Sequence, residues 1–153
     1  MRAFEDLKVG DVMEFGPLAV TAADIKSFAS RFDPQPMHLD EGAVQNTIVS
    51  GLFASGMHVA CLHMRLFADG VLRDSTSMGS PGVEEVRYLA PLRAGDSLTL
   101  RVEIVGARPS RSRPQMGLVN FRSRMINGDG KAVLEMTATL MFGRRAGPSE
   151  LAS

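Results

Sequence analysis

Asp33 and His38 are the residues of this chain best suited to chemistry. They lie five positions apart in Phe32-Asp33-Pro34-Gln35-Pro36-Met37-His38-Leu39-Asp40. Each proline fixes its own φ and pushes the residue before it out of the helical region. Asp33 and Gln35 are therefore expected to be extended, on a loop with little freedom. A carboxylate and an imidazole held this way can converge on one water molecule or one substrate proton, which is general acid–base chemistry. The competing reading is structural: an Asp bonded to nearby N–H groups and a His bonded to a backbone carbonyl.

The elements that must position this loop lie on both sides of it. Thr21-Ala22-Ala23-Asp24 has the form of a capping box, with Asp24 also favoured by the positive helix N-terminus. A helix over 22–31 follows, with Ile25, Phe28, Ala29 and Phe32 at i, i+3, i+4 and i+7. Pro34 stops it, leaving Asp33 just past the negative end, where the dipole is expected to raise the carboxyl pKa. Residues 39–45 are expected to form a short helix with Asp40 and Glu41 in its first turn. Residues 54–68 are apolar on almost every side, including Met57, Val59, Cys61, Leu62, Met64, Leu66 and Phe67. A helix apolar all round is buried all round. His58 and His63 on it point in different directions and read as core or contact histidines, Cys61 as an inert buried thiol. Ser55, just before it, reads as a helix N-cap.

A strand over 12–20 precedes the loop, and 83–92, 97–105, 116–125 and 132–142 read as strands after it. Leu98, Leu100, Val102 and Ile104 alternate with Thr99, Arg101 and Glu103. Turn signals at 93–96, 109–114 and 127–130 separate the strands and predict hairpins. The expected fold class is α+β: a long central helix wrapped by an antiparallel β-sheet.

Composition narrows the partners. Lys plus Arg and Asp plus Glu both total 17 in 153 residues, which argues against nucleic acid or an anionic membrane bound by bulk charge. No apolar run approaches the roughly 20 residues that span a bilayer, and the N-terminus lacks a signal-peptide pattern. One cysteine suits a reducing compartment, so a cytoplasmic location is expected.

Residues 29–40, Ala-Ser-Arg-Phe-Asp-Pro-Gln-Pro-Met-His-Leu-Asp, resemble the signature of the MaoC-like, R-specific enoyl-CoA hydratases, A-x-x-S-G-D-x-N-P-L/I-H-x-D. Asp33, Pro36, His38 and Asp40 match, Met37 is a near match, and Gln35 stands where Asn is usual. Ala54-Ser55-Gly56-Met57 resembles the family's A-H-G-M segment with Ser for His. Residues 91–98, Pro-Leu-Arg-Ala-Gly-Asp-Ser-Leu, resemble its P-V-x-x-G-D-x-L hairpin. The resemblance covers residues from about 4 to 143 and implies one hot-dog domain, taken over 1–145; the tail from 146 to 153 reads as disordered from its own sequence. The resemblance also implies hydration of trans-2-enoyl-CoA to (R)-3-hydroxyacyl-CoA, or the reverse dehydration, with no metal and no redox cofactor.

Carried over by position, Asp33 and His38 would hold the water and move its protons. The N–H of Gly56 would stabilise the thioester oxyanion, glycine there letting the carbonyl approach closely. Gln35, Ser55, Met57 and Gly82 are the candidate substrate contacts, Gly82 as part of a Ser80-Pro81-Gly82 turn beside the acyl tunnel. The rival readings are a hot-dog acyl-CoA thioesterase and a non-catalytic acyl-thioester-binding subunit. A homodimer is expected, since an exposed edge strand is removed by two-fold pairing. Arg87, Arg93, Arg122 and Arg124 are unranked candidates for CoA phosphates along its seam.

Overall fold

The computed structural model describes residues 1–42 and 49–145. Five antiparallel strands form one sheet in the order β1-β3-β4-β5-β2: β1 Val12–Ala19, β2 Gly82–Tyr88, β3 Ser97–Pro109, β4 Met116–Ile126 and β5 Ala132–Gly143. Three α-helices precede β2 after a 3-10 turn at Phe4–Asp6: α1 Ala22–Phe32, the single turn α2 Pro36–Leu39, and α3 Gly56–Phe67, which continues as a π turn over Ala68–Leu72.

The strand alternation read from sequence sorts the two faces. Leu98, Leu100, Val102 and Ile104 of β3, Val119, Phe121 and Met125 of β4, and Leu134 and Phe142 of β5 point inward and are buried. On the outer face the register sets Glu14 opposite Arg101, Glu103 opposite Arg122 and Arg124 opposite Glu135, and each pair forms an ion pair. Exposed pairs of this kind contribute only about 0–1 kcal/mol each, so they serve register and solubility rather than stability. Val59, His63, Leu66 and Phe67 turn α3 toward the sheet, where the Phe67 ring meets Phe121 edge-on at 5.2 Å. Among the described residues no helix is long and apolar enough to cross a membrane.

Four expectations change. First, the turn at 93–96 does not join neighbouring strands: β2 pairs with β5, and β3 with β1. Its backbone instead meets the end of β1, with Val20 N–H donating to Asp96 O and Gly95 N–H to Val20 O. The chain therefore crosses, between Tyr88 and Ser97, from the edge strand β2 to β3, one strand in from the opposite edge. Second, α3 is not buried all round. Met57 and Met64 are 62% and 50% exposed, and Cys61 is exposed as well. One sheet covers one side of a helix, and this stripe lies opposite. Third, Phe32 ends the α1 stripe in solvent, under the Arg31 guanidinium, while Ile25 and Ala29 are fully buried. Fourth, a helical turn forms at Pro36–Leu39, where Pro36 supplies a ready-made φ for its first position; of the helix expected over 39–45, residues 40–42 are not helical and 43–45 lie outside the described residues. Residues 43–48 and the tail from 146 lie outside the described residues.

Candidate active site

Asp33 is delivered by the end of α1. The capping box forms as its sequence demands: Thr21 Oγ1 accepts from Asp24 N–H at 3.1 Å, and Thr21 N–H donates to Asp24 Oδ2 at 3.2 Å. The helix then runs eleven residues and ends on Asp33, whose N–H still donates to Ala29 O at 2.9 Å. Pro34 allows no further turn. The extended Gln35 leads into α2, which carries His38 to a buried position beside Asp33.

The imidazole is oriented by its backbone contact. His38 Nδ1 lies 2.8 Å from Phe53 O, an oxygen that only accepts, so Nδ1 carries the proton. In the neutral ring Nε2 then presents a lone pair, and it stands 3.4 Å from Asp33 Oδ2. The carboxylate is held at both oxygens. Gln35 Nε2 donates to Oδ1 at 2.7 Å and Ser55 Oγ to Oδ2 at 2.6 Å.

These donors reverse the expected electrostatics of Asp33. Its pKa is lowered from the ordinary carboxylate value, first by Ser55 and then by Gln35, with desolvation opposing and His38 adding a smaller pull. Two direct hydrogen bonds to the charged form outweigh a helix C-terminus acting from outside. Asp33 is thus an anion at neutral pH.

The third part of the site is the start of α3. Ser55 occupies the N-cap position but makes no side-chain cap, so no side chain in the described residues covers the first N–H groups there. Ala54 N–H donates to Leu92 O at 2.8 Å, fixing this end against the crossing segment after β2. A cavity of about 500 Å³ opens here, with Asp33, Gln35, His38, Phe53, Gly56 and Tyr88 in its wall. The requirement for glycine at 56 has a nearer cause than substrate approach. A Cβ would fall 2.8 Å from the Tyr88 ring, so Tyr88 rather than the substrate takes up that space.

Asp33, Gln35, His38, Ser55 and Gly56 thus come together as the sequence anticipated. Met57 and Gly82 do not: Met57 points to solvent, and Gly82 lies exposed at the far end of β2 from Tyr88. Ser80 lines a separate apolar cavity of about 60 Å³ with His63, Phe67 and Ser123. The candidate phosphate contacts are engaged within the chain, Arg87 with Glu85, Arg122 with Glu103, Arg124 with Glu135, and Arg93 with Ser50 O. A larger groove of about 760 Å³ runs between α1 and α3 but contains none of the dyad. Its Arg65 is already paired to Asp69, and the smaller cavity, which holds both Asp33 and His38, is the candidate site. His58 and His63 are core histidines, buried as expected, the first stacked on Phe28 and the second bonded to Ser123. Cys61 is not the buried thiol expected. Among the described residues no group of three His, Cys, Asp or Glu side chains could hold a metal ion. The sequence reading missed Tyr88 and the Ser55–Asp33 bond, and its nearest signal was Ser55 beside a helix start that a loop carboxylate could reach.

Comparison with known proteins bears on the family and the fold. A family model described as the MaoC-like domain matches residues 6–122. The (R)-specific enoyl-CoA hydratase of Rhodospirillum rubrum is 31% identical over 93% of this chain and 92% of its own. The crystal structure of a MaoC-like dehydratase from Rhodospirillum rubrum superposes with a TM-score of 0.87 at 38% identity, covering 95% of this chain and 99% of that one. A Mycobacterium tuberculosis protein described as having a double hot-dog fold gives 0.73 at 20% identity, over 94% of this chain and 44% of that one. This last likeness concerns the fold alone, and the sheet-and-helix arrangement described above is a hot-dog fold.

Proposed function

We propose, from the premise that the chain belongs to the MaoC-like domain family, that it adds water to trans-2-enoyl-CoA thioesters to give (R)-3-hydroxyacyl-CoA, or runs the reverse dehydration. One observation carries the reading. Two acceptors, Asp33 Oδ2 and His38 Nε2, converge 3.4 Å apart on a cavity that also meets the uncapped start of α3. Two lone pairs facing one point accept both protons of a water molecule there. The water oxygen bonds to C3, one of its protons passes to the dyad, and the C2–C3 electron pair moves toward the thioester oxygen. The Gly56 N–H, at the positive end of α3, meets the developing oxyanion. A donor so placed contributes on the order of 3 kcal/mol to the barrier. A proton delivered from the dyad to C2 completes the addition. Gln35 and Ser55 hold Asp33, and Tyr88 closes the cavity over Gly56.

Crotonyl-CoA tests this directly. The expected result is loss of enoyl absorbance with no release of free thiol. Free thiol would establish thioester hydrolysis instead, and binding without turnover would establish a non-catalytic acyl-thioester subunit. The (R) configuration of the product is read by chiral chromatography.

The same reading includes a homodimer. The outer side of β2 pairs with no strand among the described residues, and its Val83, Val86 and Tyr88 are exposed beside the open Met57, Cys61 and Met64 stripe of α3. A free sheet edge of mixed polarity, which also carries Glu84, Glu85 and Arg87, and an apolar helix face beside it fit a two-fold copy of the same surface. Sedimentation equilibrium is expected to give twice the chain mass, and a monomer at micromolar concentration would refute it.

A further inference from the structure

We propose that Ser55 is a positioning residue for Asp33: the hydroxyl at the N-cap of α3 forgoes capping to fix the carboxylate oxygen that faces His38. The proposal rests on the hydratase reading for its kinetic part and on geometry for the rest.

The chain contains its own control. Thr21 and Ser55 are both hydroxyl residues at helix N-caps. Thr21 does what such residues usually do and accepts from the N–H of Asp24, three residues on. Ser55 makes no such bond. The residue is 1% exposed, and its side chain reaches back 22 positions in sequence to donate to Asp33 Oδ2 at 2.6 Å.

This choice has two consequences for the site. Among the described residues the first N–H groups of α3 keep no side-chain acceptor, and Gly56 lines the cavity, where a substrate carbonyl can use them. The carboxylate, meanwhile, gains a second anchor. Gln35 alone would leave Oδ2 free to swing about the bond from Oδ1, whereas Ser55 sets it 3.4 Å from His38 Nε2. Ser55 is itself fixed by backbone bonds on both sides, Ala54 N–H to Leu92 O and Val59 N–H to Ser55 O. The oxyanion donor and the carboxylate are therefore referred to one rigid point. A hydroxyl in that place also favours the ionised form of Asp33, and His38 is the titratable group that faces it.

Ser55→Ala and Ser55→Thr test the assignment. Loss of a hydrogen bond to a charged group is expected to lower kcat for crotonyl-CoA hydration about 10- to 100-fold, with KM little changed. Ser55→Thr keeps the hydroxyl and restores most of the rate. The decisive readout needs no substrate: the Asp33 carboxyl carbon is titrated by NMR, and its midpoint is expected to rise in Ser55→Ala and return in Ser55→Thr. Wild-type kcat in Ser55→Ala, or an unmoved Asp33 midpoint, overturns the proposal. Should Ser55→Ala fail to give a cooperative unfolding transition, Ser55→Cys keeps the volume, weakens the donor, and is judged by the same midpoint. A wild-type protein inert toward enoyl thioesters would sink the hydratase reading, while the midpoint would still decide the role of Ser55.

Discussion

Asp33→Asn is expected to lower kcat/KM for enoyl-CoA hydration by about 10²- to 10⁴-fold, the usual contribution of a positioned general acid or base, while leaving the fold intact. The bonding around the side chain explains both halves of that statement. The Asn oxygen can still accept from Gln35 Nε2, and its amide can donate to the Ser55 hydroxyl, which also accepts. Nothing buried is left without a partner, so the unfolding temperature is expected to stay within a few degrees. What changes is the atom facing His38. Where Asp33 Oδ2 now accepts, 3.4 Å from Nε2, the variant presents a donor that can close on the imidazole lone pair. The two acceptors that would receive the protons of one water are then both lost. Asp40, exposed and bonded to Gly42 N–H, is the control carboxylate, and Asp40→Asn is expected to retain near-normal activity. Activity of Asp33→Asn within tenfold of wild type would remove Asp33 from the chemistry.

The residues of this site are legible in the sequence at different depths. The loop itself was plain: two prolines and a capping box dictate where α1 starts and stops, so Asp33 and His38 could be paired from sequence. The buried strands were plain too, since inward and outward residues alternate along β3 and β4. Three features were hidden, each because it depends on what a distant segment does. The position of β2 at the far edge is set by pairing with β5, and the Arg93–Asp96 turn looks the same whether it closes a hairpin or spans the sheet. The open stripe of Met57, Cys61 and Met64 has the composition of a core, and only the placement of a single sheet shows that nothing in the described chain covers it. The direction of the Asp33 pKa could not follow from the helix dipole alone, because the opposing donor, Ser55, stands 22 residues away. Local propensity and patterning fix the elements, and side-chain partners brought from afar fix the electrostatics.

Stability is expected to fall by about 2 kcal/mol between pH 7 and pH 5 through His63 alone. His63 is 3% exposed, and burial pushes its pKa down to about 4. Around it stand the rings of Phe67 and Phe121, the Ser123 hydroxyl at 2.6 Å from Nε2, and the side chain of Met136. None of these carries a charge to stabilise an imidazolium, and Nδ1 has no hydrogen-bond partner among the described residues. In the unfolded chain the same histidine titrates near its ordinary value of about 6.5. The folded value is therefore the depressed one, and the sign follows. Above about pH 6.5 neither state takes up the proton, and the stability is complete. From there down to about pH 4 the unfolded chain binds a proton that the folded protein refuses, so stability is lost at up to 1.36 kcal/mol per pH unit. Below about pH 4 the folded protein binds it too, and the loss levels off. His58, also lowered by burial, acts in the same direction. For a chain of this size about 2 kcal/mol corresponds to a fall of roughly 4–8 °C in unfolding temperature. His63→Gln can keep a hydrogen bond to Ser123 and cannot titrate, so its unfolding temperature is expected to change much less over the same interval, whatever its absolute value. An unchanged pH slope in that variant, or a His63 ring that titrates near 6.5 by NMR in the folded wild type, would contradict the assignment. Because His63 sits one turn before the Phe67–Phe121 contact that seats α3 on the sheet, the same acidification is expected to loosen the helix whose other end is Gly56. Activity lost on mild acidification should therefore return on neutralisation in wild type, and the part of that loss due to unfolding should be reduced in His63→Gln.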